Sequence, residues 1–374
     1  MDFTFSDEQQ AITELSHRIL SEQLPPERLR ELEADPGWFA DDVWTALATA
    51  DLLGIALPEA DGGGGYGLLE ACLVAEQVGR SVAPVPYLSC VVGAALPVAE
   101  FGTAAQRAAL LPGVIDGTAP LTVALQEPDD VAPPAIPVTQ ATPVGDGWRL
   151  DGTKVFVVGA DRAAAILVPA RTGADGVTVF LVRPDAPGVA LAPEVAVSGE
   201  PQWTVQLVGV EVGPDGVLGA VGGGADVVRW TADRLMAAIC ATQVGVCEEA
   251  LALTARYVCE REQFGTKLGT FQAVGHRIAD AYIDTEAIRL TSLQAIWRLD
   301  AGLPAEEELM VAKFWAAEGA QRVVHAAQHL HGGIGVDLDY PIHRYFRWAK
   351  VLELTLGGAS PSLLRLGASL TRGD

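Results

Sequence analysis

The sequence is poor in basic charge, in paired cysteines and in long apolar runs. Lys and Arg number 25 against 48 Asp and Glu, a formal net charge of -23. Nucleic acid and anionic membranes both demand a basic footprint, so neither is expected as a partner. The five cysteines (Cys72, Cys90, Cys240, Cys247 and Cys259) are odd in number and contain no CxxC pair. Buried, reduced thiols in a cytoplasm fit that pattern better than a disulfide framework. Cys240 and Cys247 share the spacing of one packed helix face rather than of a metal site. No apolar run reaches the ~20 residues of a membrane span. The N-terminal MDFTFSDEQQ is too acidic and polar for a signal peptide. GGGG at 62–65 lacks the lysine of GxxxxGK[ST] and follows no strand, which reads as a surface turn. His325 and His329 are spaced i, i+4, but no nearby Glu or Cys completes a ligand set, so no metal is expected.

What is present is a long chain with a large apolar fraction. Of its 374 residues 49% are hydrophobic and only 20% charged. Much surface must be buried, in a sizeable core or against other chains. Ser6 and Gln9 form a capping box ahead of the stripe Ile12, Leu15, Ile19, so the chain opens on a helix. Pro25–Pro26 interrupts it. Residues 39–53 and LLEACLVAEQVGRS (68–81) continue the helical texture, which ends near Gly117. From Leu121 the pattern changes to β-branched runs, WRLDGTKVFVVGA, AAILVPAR, VTVFLVRP and WTVQLVGVEV, punctuated by DG, GADG and PG. These predict an antiparallel β segment. VGGGAD (221–226) reads as a hinge, and helical periods return from 227 to 298. AGLPAEEE (301–308) is a helix connection, another helix reaches about Leu330, HGGIG breaks it, and a last helix follows from about 341. The fold class is α+β in three domains: helical over 1–120, antiparallel β over 121–225, and a C-terminal four-helix bundle over 226–374.

Four stretches carry a family resemblance. LLGIALPEADGGGGYGLLEACLVAEQVGR (52–80), DGTKVFVVGA (151–160), REQFGTKLGTFQAVGHRIAD (261–280) and HGGIGVDLDYPIHRYFRWAK (331–350) occur in the order, and resemble the motifs, of the acyl-CoA dehydrogenase family. The resemblance covers essentially the whole chain, and its last two motifs are the specific ones. It implies an FAD-dependent oxidoreductase acting on an acyl-CoA substrate, with electrons passed to an electron-transfer flavoprotein. In the family a carboxylate takes the α-proton while hydride leaves the β-carbon for the flavin. Such a base has to sit in an apolar, closed pocket that raises its pKa.

At the commoner base position, in LTLGGASPS (354–362), this chain carries Gly357. At the alternative position, counted back from Phe264, it carries Leu235. Asp233 lies two residues earlier, about 200° around a helix. It is a candidate base if the register differs, and otherwise a helix N-terminal or solvated acid. The flavin side is altered as well. LQEPDDVAPPAI (125–136) stands where the family has a Thr and a small Gly-Ser pair. Its prolines lack the N–H that a phosphate needs, and Asp129 and Asp130 would repel one. Phe156 keeps the family's aromatic, but Val158 replaces its hydroxyl.

A second set is kept. Arg261, Gln263, Phe264 and Gln272 match positions that reach a neighbour's FAD across a dimer interface in the family. So do Gly332, Gly333 and Gly335, with His329 where Gln is usual; an imidazole still donates one hydrogen bond. Loss of the cis site with retention of the trans contacts resembles the flavin-site-degenerate subunit of actinobacterial α2β2 steroid acyl-CoA dehydrogenases. The implied partner is a paralogous catalytic subunit. Two other readings stay open: a self-sufficient homotetramer with Asp233 as a displaced base, and a scaffold that binds neither flavin nor acyl-CoA.

Overall fold

The computed structural model describes residues 4–35, 37–174 and 176–372. Helices α1 (Asp7–Gln23), α2 (Pro26–Glu33), α3 (Asp41–Thr49), α4 (Leu68–Arg80), α5 (Leu96–Phe101) and α6 (Ala104–Ile115) come first. Strands β1 (Leu121–Val123), β2 (Gln140–Val144), β3 (Gly147–Val158), β4 (Ala165–Thr172), β5 (Gly176–Val182), β6 (Val189–Val195), β7 (Pro201–Val212) and β8 (Val217–Leu218) follow. Then come α7 (Gly224–Glu260), the short hairpin β9 (Glu262–Gln263) and β10 (Thr266–Lys267), and α8 (Gln272–Asp300), α9 (Glu306–Phe314), α10 (Ala320–His331), α11 (Ile342–Leu354) and α12 (Ala359–Arg372). The helix–strand–helix order expected from sequence is the order found. The capping box at Ser6 and Gln9 is formed, and a second one at Thr103 and Gln106 starts α6.

The chain forms two compact units, and their boundaries fall inside helices, after Ala71 in α4 and after Leu235 in α7. One unit holds Pro36–Ala71 and Val85–Leu235. Its eight-stranded sheet runs β6-β7-β3-β2-β4-β5-β8, with β1 added beside β4. The sheet is not antiparallel throughout: β1 and β2 both pair with β4 in parallel. Antiparallel hairpins need only a turn, and DG and PG turns advertise them. Parallel neighbours meet through longer connections that leave no local signal. Leu150, Val157, Ile166, Val168, Phe180, Val205 and Val210 build the sheet's core. Gln106 anchors α6 to it through two 2.8 Å bonds from its amide to the carbonyls of Asp215 and Val217.

The other unit holds Met1–Asp35, Cys72–Pro84 and Met236–Asp374. Here α4 and α7 cross in backbone contact. A Cβ on Gly79 would lie 2.0 Å from the Thr242 carbonyl oxygen, and one on Gly245 would lie 1.9 Å from that of Glu76. Only glycine permits that approach. The buried guanidinium of Arg344 makes a bidentate pair with Glu33 at 2.7 and 3.0 Å. Lys313, fully buried, donates to the carbonyls of Leu352 and Glu353 and so closes the C-terminal end of α11. Burial lowers its pKa to about 8.

Two expectations need correction. The hinge is shorter than 221–226, because α7 starts at Gly224. The last helix is broken in two at Thr355–Gly358, where Leu356 (φ 59°) and Gly357 (φ 99°) turn left-handed in succession. By length and composition α7 would suffice to cross a membrane, but charged residues interrupt its apolar run and most of its apolar stretch is buried inside the fold. Cys240 and Cys247 lie buried on it as expected, whereas Cys259 near its end is exposed.

Candidate functional site

The residues singled out in the sequence fall in both units. In the sheet unit, β1 leads into the loop 125–136, where the sequence comparison with the family expects a flavin-binding turn. Gln126 bridges to Val155 of β3, and β3 bulges between Lys154 and Val157. The bulge leaves Phe156 with φ 58° and half exposed. Val158 supplies its carbonyl to the Thr122 hydroxyl at 2.6 Å.

The loop's anchor is Glu127, which the sequence did not single out. Its carboxylate accepts from the backbone N–H groups of Val138 (2.5 Å) and Thr139 (2.9 Å) and from Lys154 Nζ at 2.8 Å. Glu127 and Lys154 are 2% and 0% exposed, so this is a buried ion pair. Burial alone would raise the Glu127 pKa; the Lys154 charge and the hydrogen bonds outweigh it and hold the carboxyl below its usual range. The loop therefore spends two of its amides internally. Pro128, Pro133, Pro134 and Pro137 have none to offer. The only trace in sequence is a Glu in LQEP and a Lys in DGTKV, 27 residues apart, and their pairing follows from the β1–β4 and β2–β3 neighbours rather than from spacing.

Asp233 and Leu235 lie in α7 within the same unit. Leu235 is buried and Asp233 half-buried. Asp233 is in the third turn of a helix that begins at Gly224, so it is neither at the helix N-terminus nor fully solvated. Two residues apart, the two side chains leave the helix about 200° from each other. Arg234 lies over the Trp230 ring at 3.6 Å, and Phe101 meets that ring edge-on. Gly357 belongs to the helical unit. It is buried, and its φ of 99° is one that residues with a Cβ rarely adopt.

The retained set is all in the helical unit. Arg261 follows α7, its N–H bonded to the Tyr257 carbonyl at 2.8 Å. The hairpin pairs Gln263 with Thr266 and Glu262 with Lys267, so Phe264 and Gly265 form a two-residue turn. Both have positive φ, 57° and 79°. Such turns favour Asn-Gly; an aromatic residue held there, 91% exposed, stores strain with its ring in solvent. Phe271 meets that ring edge-on at 6.1 Å. Gln272 opens α8 and is exposed. On α10, His329 is exposed and His325 packs edge-on against Phe346. Gly332 and Gly333 begin a 3₁₀ turn, Gly332–Val336. Both are exposed with open space over their α-carbons, while Gly335 is buried and its carbonyl accepts from the Gln328 amide. Tyr257 stacks on His331, with centroids 4.5 Å apart and planes 25° apart, and this contact joins the end of α7, before the hairpin, to the end of α10, before the glycine turn. Neither Tyr257 nor His331 was assigned that part from sequence. Among the described residues no three His, Cys, Asp or Glu side chains converge as metal ligands do.

Comparison with known proteins places the chain. Three family models match it in sequence order: the N-terminal domain of acyl-CoA dehydrogenases over residues 6–118, the middle domain over 122–210 and the C-terminal domain over 222–369. The chain belongs to the acyl-CoA dehydrogenase family and is an oxidoreductase by that membership. It is 39% identical over 378 residues to the acyl-CoA dehydrogenase FadE27 of Mycobacterium tuberculosis, covering 99% of each. Among solved structures it is similar to the Tcur3481–Tcur3483 steroid acyl-CoA dehydrogenase (47% identity, TM-score 0.91, 98% of each chain). It is likewise similar to the ChsE4–ChsE5 complex of M. tuberculosis (39% identity, TM-score 0.92, 99% of each chain).

The family uses FAD, and the two units fit that group differently. In the loop after β1, Glu127 accepts from the N–H groups of Val138 and Thr139, and the four prolines have no N–H to offer a pyrophosphate. In the helical unit Arg261, Gln263 and Gln272 are exposed, and the open glycines let a nucleotide reach the backbone closely.

Proposed function

We propose that this chain is the base-free subunit of an α2β2 acyl-CoA dehydrogenase, completing the FAD site of a paralogous partner that carries the base. The observation that supports it is the contrast between a proline-rich loop in the sheet unit whose Glu127 takes up two amides and Lys154, and the exposed Arg261, Gln263 and Gln272 of the helical unit. In this reading Arg261 gives the charge-assisted contact to the dinucleotide, Gln263, Gln272 and His329 give side-chain donors, and Gly332, Gly333 and Gly335 shape the turn it lies against. The strained, exposed Phe264 supplies a ring face to the adenosine end. FAD, when bound, supplies the acceptor for hydride leaving the acyl β-carbon. Gly357 and Leu235 leave this chain no carboxylate at either family base position, so the α-proton goes to the partner. The kinship with steroid-specific and two-subunit relatives points to a steroid side-chain acyl-CoA as substrate. An electron-transfer flavoprotein as acceptor and a cytoplasmic location belong to the same proposal.

The test is to express the chain alone and with its paralogue, and to measure flavin absorbance per chain with native mass. No flavin alone, and one per two chains in an α2β2 complex, is the expected result. One flavin per chain in a homotetramer overturns it. That outcome would turn attention to Asp233, whose half-buried place on α7 favours a displaced base over a solvated acid. Asp233→Asn with turnover intact would then remove this second reading too.

A further inference from the structure

We propose that His331 is a positioning residue that ties the Arg261–Gly265 hairpin to the Gly332–Gly335 turn, so that the two sets of flavin contacts keep one mutual geometry. The inference rests on the subunit reading above for its consequence, though not for the tie itself.

The first half of the glycine turn has little side-chain support, while the Gln328 amide holds the Gly335 carbonyl in its second half. Open space lies over Gly332 and Gly333, and Gly332 is left-handed at φ 62°. Such a segment is fixed by its ends. His331 is one end and Tyr340 lies just beyond the other. The imidazole is 3% exposed and uses both nitrogens. Nδ1 lies 2.8 Å from the Ala327 carbonyl oxygen, which can only accept, so Nδ1 carries the proton. Burial lowers the pKa of the ring, and in its neutral form Nε2 accepts from the Tyr340 hydroxyl at 3.2 Å.

The third ring comes from α7. Tyr257 stacks on the imidazole and donates its hydroxyl to the His331 carbonyl at 3.3 Å. It also meets Tyr340 edge-on, with centroids 6.2 Å apart. The Tyr257 carbonyl in turn receives the N–H of Arg261. The imidazole thus meets Tyr340 beyond the exit of the glycine turn and Tyr257, whose backbone carbonyl holds Arg261 at the root of the hairpin. Leu or Phe could fill that space but bond neither end; Gln could bond but not stack. An imidazole that merely satisfied itself in a core would need only one of these partners.

The experiment uses the full chain in complex with its paralogue. Hydrogen exchange is followed over residues 257–268 and 331–340, and the Kd for FAD is measured beside the turnover of the flavin-saturated complex. Tyr340→Phe removes one oxygen and keeps the ring, and His331→Phe keeps the stack and removes both hydrogen bonds. Both segments should exchange faster together in each variant, with the sheet amides of residues 147–212 unchanged. The Kd should rise on the order of tenfold, the effect of one buried hydrogen bond left unmade, with saturated turnover preserved. Loosening of the glycine turn without the hairpin overturns the tie, as does an unchanged Kd. Should the wild-type complex hold no flavin, the subunit reading fails, and the joint loosening still decides the tie. Tyr340→Phe carries the test where His331→Phe does not fold.

Discussion

The loop from Leu125 to Val138 and the turn from His331 to Val336 are both built from residues that bend a backbone, yet they dispose of their polar groups in opposite ways. In the first, a buried carboxylate gathers two amides and an ammonium, and four prolines remove further donors. In the second, open space lies over Gly332 and Gly333, while the Gln328 amide holds the Gly335 carbonyl and His331 and Tyr340 meet at its ends. The two segments therefore differ less in composition than in where hydrogen-bonding capacity is spent. On the subunit reading proposed above, that difference separates a loop that no longer takes a ligand from a turn that still does.

The sharpest way to break this contrast is at Lys154. Lys154→Met leaves Glu127 charged and unpaired in a dry site and should cost about 3–5 kcal/mol in urea unfolding. Adding Glu127→Gln should recover much of it. If the single variant costs nothing, the loop is not held as described. Next in size is Arg261→Ala. Removing one charge-assisted contact, about 1.5–3 kcal/mol, should weaken FAD binding by the complex about 10- to 100-fold. Flavin titration reads it directly, and retained affinity and turnover would end the case for the helical unit as the flavin-completing side.

Gly357→Glu asks whether the missing base can be restored. At φ 99° a side chain is strained, so thermal unfolding should show a loss of about 1–2 kcal/mol, and no turnover should appear in the chain alone. The smallest effect separates two buried carboxyls by pH. Glu127 has a lowered pKa, so its contribution is present above the unfolded value of about 4.3 and lost as pH falls through the folded one. Glu76, near Glu248, has its pKa raised to about 8, by burial first and by that neighbour second. Its contribution is full below about pH 4.3 and lost as pH rises through about 8. Glu127→Gln should flatten the acid limb of the stability curve and Glu76→Gln the limb approaching pH 8.

Much of this was legible in sequence where the signal was local. The capping box, the β-branched runs and their DG turns, and the REQFG and HGGIG motifs each depend on a few adjacent residues. The parallel partners of β4, the Glu127–Lys154 pair and the Tyr257–His331–Tyr340 group depend on residues brought together only by the completed fold. The break after α11 falls between these cases. LTLGG shows two glycines, but the left-handed Leu356 before them depends on the buried place its side chain occupies. The proposed site chemistry rests on what each motif lacks or keeps relative to the family; the pairing of Glu127 with Lys154 was not visible there.

Glu127 carries one more implication. A cofactor-binding loop draws part of its stability from the cofactor, and so its folding depends on how much of that compound is available. On the subunit reading proposed above, a loop closed by its own carboxylate would be free of that dependence. The sheet unit would then reach its final form during flavin starvation as readily as in plenty. In an assembly of two unlike chains, the supply of the vitamin precursor would limit only one of them.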